Sequence, residues 1–281
     1  MVCRMKRMTL QEIQNVNLDI MKDIHCYCVE KGIHYSLAYG SLIGAVRHKG
    51  FIPWDDDIDI MMTRPDFEVF SKEFRSKKGF ELSSVYDNDT YVNYTRVYDN
   101  RTVATGPLKA SKHQIGVWVD VFPIDAIPDD LSERNQQFQR LRCFTSLIRR
   151  LRVALSNLEE RSPLRKITGF LRLVKLAVGN NGLHFDMWHN QVISICKEFT
   201  FGETTYCSSM VCVEATTYNR QEVFPTSAFK SYRLLPFEKE FFYVIDSYDS
   251  VLTTIFGDYM KLPPEEKRVS HSLKKWSYYW K

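Results

Sequence analysis

The chain has 281 residues, which is enough for one large domain or for a catalytic core with a sizeable addition. Hydrophobic residues make up 44% and charged residues 26%, which excludes a mainly disordered chain, and a net charge of only +4 argues against a nucleic-acid-binding protein. Seven irregularly spaced cysteines argue against a disulfide framework. The sequence shows neither an apolar signal segment nor an apolar run near ~18 residues, so we expect a cytoplasmic protein.

The first predicted element is a helix with recognisable ends. Thr9 and Glu12 form a capping-box pattern at its start, and Gly32 stands where a left-handed residue would end it. Apolar residues recur between these ends at helical spacing: Ile13, Val16, Ile20, Ile24 and Tyr27. We therefore predict a helix between Thr9 and Gly32 with one buried face.

Short strands and helices follow this first helix. A strand over Ile33–Ala38 leads through a Gly-Ser turn into a short helix near Leu42–Arg47, and Pro65 begins a further helix. The buried stripe of that helix is predicted to contain Phe67, Phe70 and Phe74. Runs of apolar and β-branched residues predict the remaining strands at Asp57–Met61, Phe80–Val85, Tyr91–Tyr98, Arg101–Thr105 and Ile115–Phe122.

The composition becomes basic and helical from Ser132 to about Val178, with a break at Pro163. Further helices are predicted near Phe185–Phe199 and Ser247–Phe256. We expect an α/β (α+β) protein with a catalytic core over residues 1–130 and a mainly helical region over residues 131–281 whose tail completes the site.

Two aspartates carry the functional interpretation. Asp57 and Asp59 are two residues apart on a predicted strand, so their side chains point to the same face, about 7 Å apart along the strand. Two carboxylates in this arrangement can share hard divalent cations. Asp55 has the same parity if the strand extends that far. The alternative is a solvated acidic turn, which the flanking Trp54 does not favour.

Asp120 is a third carboxylate on a predicted strand, between two valines. It would complete a metal site with Asp57 and Asp59, or act as a general base. An isolated aspartate on an edge strand would have the same local sequence, so spacing alone leaves both interpretations open.

A glycine-serine turn precedes the acidic strand. Gly40 would let backbone amides approach a phosphate, and Ser41 would add a hydrogen bond at the start of the next helix. Arg47, His48 and Lys49 place positive charge between this turn and the carboxylates, although a basic surface loop would have the same composition. The order strand, Gly-Ser turn, helix and two-aspartate strand is more specific than any of its parts.

This order resembles the nucleotidyltransferase fold shared with polymerase-beta-like enzymes. Over residues 39–60 the chain is similar to the LicD family of phosphocholine transferases, which is related to the fukutin group. Further similar stretches lie at residues 119–125, which end in Asp125, and at residues 256–268. The family's turn often reads Gly-Gly-Thr, whereas this chain has Tyr39, Gly40 and Ser41.

The resemblance implies a magnesium enzyme. Asp57, Asp59 and Asp120 would hold one or two Mg²⁺ ions, with Mn²⁺ as a substitute. The donor would be CDP-choline or a related CDP-linked compound, and the acceptor a hydroxyl of a lipid-linked cell-surface glycan of the teichoic acid, lipopolysaccharide or capsule type. Phosphocholine would be transferred and CMP released. The residues expected to contact these substrates are Gly40, Ser41, Arg47, His48, Lys49, Trp54, Asp125, Arg268 and His271.

A choline head group would bind to aromatic ring faces, for which Trp54, Tyr39 and Trp118 are candidates; ordinary core packing is the alternative for each. The basic segment from Arg140 to Lys175 would either contact the inner face of an anionic membrane or form a solvated helix surface.

Two other functions remain open at this stage. An enzyme of the same fold would transfer a nucleotide, ribitol phosphate or glycerol phosphate instead. A non-catalytic choline- or glycan-binding module would be expected to carry repeated Gly-Trp hairpins, and the sequence has none.

Overall fold

A computed structural model describes residues 5–87, 90–107, 111–160, 162–212, 222–270, 273 and 275–281. Within these residues the strands are β1 (Lys6–Arg7), β2 (Ser36–Leu37), β3 (Ile58–Thr63), β4 (Glu81–Ser83), β5 (Thr95–Tyr98), β6 (Thr102–Thr105), β7 (Trp118–Ile127), β8 (Tyr206–Ser208), β9 (Val223–Pro225), β10 (Tyr232–Phe237), β11 (Glu240–Ile245) and β12 (Ser277–Trp280). The α-helices are α1 (Leu10–Lys31), α2 (Tyr39–Ile43), α3 (Arg64–Glu73), α4 (Leu131–Glu159), α5 (Pro163–Gly179), α6 (Phe185–Cys196) and α7 (Tyr248–Phe256).

The first helix has the ends that the sequence predicts. The Glu12 amide donates to Thr9 Oγ1 at 3.2 Å, and the Thr9 amide donates to Glu12 Oε2 at 2.8 Å, so the capping box is complete. Gly32 follows α1 in the left-handed conformation, with φ 66°. The predicted apolar face is buried: Ile13, Val16, Ile20, Ile24 and Tyr27.

A mixed sheet forms the centre of the molecule, which confirms the predicted α/β class. Its strand order is β2-β3-β7-β5-β4; β3 and β7 are parallel, and the other neighbours in this order are antiparallel. Alternate side chains of β3 and β7 enter one hydrophobic core with α1 and α3: Ile58, Ile60, Val119 and Val121. The opposite face of these two strands is therefore free to carry polar groups.

Several boundaries differ from the sequence prediction. β2 has two residues, and β7 begins at Trp118 and continues to Ile127. The helix after the Gly-Ser turn begins at Tyr39 and continues as a π-helical turn over Gly44–His48. Hydrogen bonding between distant segments sets these limits, and local periodicity does not report it.

The C-terminal half supplies strands as well as helices. β8 pairs with the far end of β7, β9 pairs with β8, and β12 pairs with β6 and β1. The boundary expected at residue 130 therefore does not coincide with a break in strand pairing. β10 and β11 form a hairpin that the sequence analysis did not predict.

Candidate active site

The carboxylates of the acidic strand lie on one face. Partly exposed Asp55, Asp57 and Asp59 alternate with residues whose side chains are buried: Asp56, Ile58 and Ile60. In the parallel pairing of β3 and β7, Asp59 stands opposite Asp120. Residues opposite each other in a sheet point to the same face, so two neighbouring strands contribute acidic groups to one site.

The close approach of these groups changes their acidity. Burial raises the pKa of Asp59 well above its usual value, and the charges of Asp57 and Asp120 raise it further. Burial likewise raises the pKa of Asp55 well above its usual value, together with the charge of Asp57. A bound cation would favour the ionised form of both groups.

Arg96 on β5 also belongs to this site, although it was not among the residues predicted from the sequence. Its Nε donates to Asp120 Oδ1 at 2.6 Å, and its Nη2 donates to the Tyr94 hydroxyl at 3.0 Å. The guanidinium carbon lies 4.4 Å from the ring centroid of Trp118. Antiparallel pairing places Arg96 opposite Asp120, and no local pattern in the sequence reveals that register.

The Gly-Ser turn is next to the carboxylates. Ser41 Oγ accepts a hydrogen bond from the Asp59 amide at 2.9 Å, which fixes α2 against β3. A Cβ atom on Gly40 would lie 2.6 Å from Asp55 Oδ2. A side chain at position 40 would displace the Asp55 carboxylate or the turn, so glycine permits this approach of the α2 backbone to the acidic strand.

A second group of predicted residues gathers where the C-terminal segment meets the π-helical turn. Arg47 Nε donates to His48 Nε2 at 2.9 Å, and Arg47 Nη1 donates to the Tyr259 carbonyl. His48 packs edge-on to Trp54 with ring centroids 6.4 Å apart, and Arg268 lies 5.9 Å from the centroid of the Trp54 ring. The similar stretch at residues 256–268 therefore contacts the similar stretch at residues 39–60.

Other predicted residues lie apart from the carboxylates. Asp125 is fully buried, and Arg64 donates to its two oxygens at 2.5 and 2.9 Å. Asp125 lies five positions after Asp120 on β7, and this odd offset places it on the other face. Lys49 is exposed and donates to the Val46 carbonyl at 3.0 Å. His271 lies outside the described residues.

A group of aromatic rings with one carboxyl lies next to the carboxylates Asp55, Asp57, Asp59 and Asp120, which are called here the acidic row. The rings of Tyr39 and Tyr94 pack against Phe122, with centroids 5.5 and 4.6 Å from it, and the Tyr39 hydroxyl donates to Glu222 Oε2 at 2.8 Å. Burial raises the pKa of Glu222 to about 7. Of these residues, only Tyr39 was predicted from the sequence as a candidate to bind choline. Glu222 was not predicted, because it comes from a distant part of the chain.

The oxygen donors of the acidic row suit a hard cation. Among the described residues, no group of three or more His, Cys, Asp or Glu side chains is arranged to hold an ion by itself. Mg²⁺ is usually bound through one or two carboxylates, with water and substrate phosphates completing its coordination. Asp57 and Asp59 meet that requirement. The charges of Asp57 and Asp120 raise the pKa of Asp59, so the carboxylates repel one another, and a bound cation would relieve this repulsion.

No helix in the described part of the chain is long and apolar enough to cross a membrane.

Comparison with known proteins adds independent information. A family model described as LicD/FKTN/FKRP, nucleotidyltransferase domain, matches residues 32–146, which include β2 to β7 and the acidic row. The chain is 30% identical to the lipopolysaccharide cholinephosphotransferase LicD of Haemophilus influenzae, over 96% of this chain and 98% of that protein.

Two shorter similarities involve uncharacterized proteins. One from Rickettsia typhi is 41% identical over 64 residues, 22% of this chain and 21% of that protein. One from Rickettsia prowazekii is 47% identical over 47 residues, 17% of this chain and 18% of that protein.

Proposed function

The chain belongs to the LicD family, and we propose from this premise that it transfers phosphocholine from CDP-choline to a hydroxyl of a lipid-linked, lipopolysaccharide-type glycan in a magnesium-dependent reaction. Its Haemophilus influenzae relative is a lipopolysaccharide cholinephosphotransferase, which supports a phosphocholine transferase acting on lipopolysaccharide. The observation that carries the chemistry is the acidic row, in which Asp59 on β3 stands opposite Asp120 on β7. The catalytic residues of the proposal are Asp57, Asp59 and Asp120.

Asp57 and Asp59 would hold Mg²⁺, with Asp55 and Asp120 as neighbouring oxygen donors. When bound, the ion supplies charge neutralisation for the donor pyrophosphate. The protein itself shapes the site: the bare backbone at Gly40 allows the Asp55 carboxylate to approach α2, and Ser41 keeps that turn against β3.

The reaction would proceed by in-line displacement at the phosphorus that bears choline. The acceptor oxygen forms a bond to this phosphorus while the bond to the CMP oxygen breaks, and the proton of the acceptor hydroxyl passes to a carboxylate. Arg96 occupies one oxygen of Asp120, at 2.6 Å, and leaves Oδ2 for an ion or for this proton. Arg96 is thus a positioning residue for Asp120.

The surroundings of Glu222 support choline rather than a neutral head group. Within the described residues, no cationic side chain pairs with this buried carboxyl. It accepts from the Tyr39 hydroxyl, and the Tyr39 ring packs against Phe122, which in turn packs against Tyr94. Aromatic faces and a carboxylate together attract a quaternary ammonium ion. Ribitol and glycerol, the head groups of the alternative donors, carry no positive charge that this carboxylate could attract.

The test is product analysis of the purified chain with CDP-choline, Mg²⁺ and a lipopolysaccharide acceptor. We expect CMP release and choline incorporation that require the metal, and loss of both in Asp57→Asn and Asp59→Asn. Asp19→Asn is the matched control, because Asp19 is an exposed carboxylate on α1. Turnover near the wild-type rate in either site variant contradicts the metal site. Thermal-shift measurements with CDP-choline, CDP-ribitol and CDP-glycerol separate the head groups, because selective binding stabilises the native state.

A further inference from the structure

Helix α5 has two faces of different character. One face packs on α4: Leu176 is buried, and a Cβ atom on Gly169 would lie 2.9 Å from the Ala154 carbonyl oxygen. Apolar residues on the opposite face are exposed to solvent. Their exposed fractions are Leu164 70%, Ile167 58%, Phe170 60%, Leu171 59%, Val174 43% and Val178 76%.

These six side chains form a single stripe, called here the α5 stripe. Phe170 and Leu171 are adjacent, and the other steps are of three or four residues, so the six lie along one side of the helix for almost its whole length of 17 residues. A contiguous apolar surface of this kind on a folded protein marks a site that contacts another protein, a membrane or an apolar ligand.

The charges around the α5 stripe indicate which contact it makes. Exposed Lys166, Arg172 and Lys175 lie to either side of it, and residues 163–179 include neither aspartate nor glutamate. A two-fold contact between two copies through this stripe would bring like charges together. An anionic phospholipid surface complements both the apolar stripe and its basic borders.

We infer that α5 is a docking helix that lies flat on an anionic phospholipid bilayer, with the α5 stripe at the level of the acyl chains and its lysines and arginines at the headgroups. This inference goes beyond the proposed function and does not depend on the identity of the donor. It assigns the membrane contact expected for the basic segment Arg140–Lys175 to α5, because α4 uses its apolar residues in the protein core.

Vesicle flotation of the full chain tests this inference. Vesicles of phosphatidylglycerol and phosphatidylcholine should carry the wild-type protein, and phosphatidylcholine alone should carry it weakly. Phe170→Glu should weaken binding to the anionic vesicles roughly tenfold or more, because it places a charge in the part of the stripe that would lie among the acyl chains. Phe241→Glu is the control: Phe241 on β11 is 58% exposed, against 60% for Phe170, and the change in net charge is the same. This control should bind within about twofold of the wild type.

Leu164→Glu, at the other end of the stripe, should reproduce the effect of Phe170→Glu. Both positions are exposed, so both variants should melt at the wild-type temperature and keep activity on a water-soluble acceptor. Failure of the wild type to float with anionic vesicles would overturn the inference, as would equal weakening by Phe170→Glu and Phe241→Glu. Light scattering gives a further test. If the wild type is a dimer and Phe170→Glu dissociates it, the stripe contacts a second copy of the chain, and the membrane inference is overturned.

Discussion

Arg96 Nε donates to Asp120 Oδ1 at 2.6 Å, and this ion pair lies within the sheet face that carries the acidic row. Both side chains are largely buried, with exposed fractions of 6% and 14%. Removal of one partner from a buried pair leaves the other charge uncompensated. The pair therefore connects the stability of the central sheet to the position of a proposed catalytic carboxylate.

Arg96→Met should lower the free energy of unfolding by ~3–5 kcal/mol, because Asp120 then lacks its partner. Urea denaturation measures this change. The double variant Arg96→Met/Asp120→Leu should recover part of the loss, since no uncompensated charge remains. A loss below ~1 kcal/mol in the single variant would show that Asp120 does not depend on this pair.

Gly40→Ala tests the approach of α2 to the acidic strand. The new methyl group would lie 2.6 Å from Asp55 Oδ2, so Asp55 or the turn must move. We expect transfer activity to fall by roughly 10²-fold, because displacements of about 1 Å in a reacting site have effects of this size. Gly179→Ala is the control, as no neighbouring atom lies within 4 Å of its Cβ position. Unchanged kinetics in Gly40→Ala would mean that this close packing has no part in catalysis.

Local patterns in the sequence predicted the features that local geometry determines. The capping box of Thr9 and Glu12 and the left-handed Gly32 set the ends of α1, and the structure has both. The two-residue period of a strand was sufficient to place Asp57 and Asp59 on one face, because adjacent strand residues point in opposite directions.

Features that depend on distant pairing were not predictable in this way. Arg96 faces Asp120 through the register of β5 with β7, and Glu222 reaches Tyr39 across 183 positions of the chain. The β10–β11 hairpin and the length of β7 were missed for the same reason: pairing across the sheet decides where a strand begins and ends.

Asp125 stays a predicted substrate residue, and its contacts support a different test. Arg64 holds both of its oxygens in a fully buried pair. Asp125→Ala should lower the free energy of unfolding by ~3–5 kcal/mol and leave the donor KM of the remaining folded enzyme unchanged. Steady-state kinetics beside chemical denaturation separates the two roles. A raised KM with wild-type stability would establish Asp125 as a substrate contact after all.

Glu222 should make stability depend on pH near neutrality. Burial raises its pKa from 4.5 to about 7 in the folded state, and the Tyr39 hydroxyl lowers it in part. The folded state therefore binds the Glu222 proton more tightly than the unfolded state does. Its neutral form contributes fully to stability below pH ~4.5, and this contribution falls as the pH rises towards ~7, by up to about 3 kcal/mol.

Glu222→Gln removes this titration and keeps a group that can accept from Tyr39. The variant should match the wild type at pH 4.5 and melt at a progressively higher temperature than the wild type up to pH 8, as measured by thermal unfolding across that range. Choline or CDP-choline should reduce the difference at pH 8, because a cation beside Glu222 stabilises the ionised carboxylate of the wild type alone. A difference in melting temperature that does not vary with pH would mean that Glu222 keeps an ordinary pKa. That result would contradict the proposal that Glu222 is a buried counter-charge to choline.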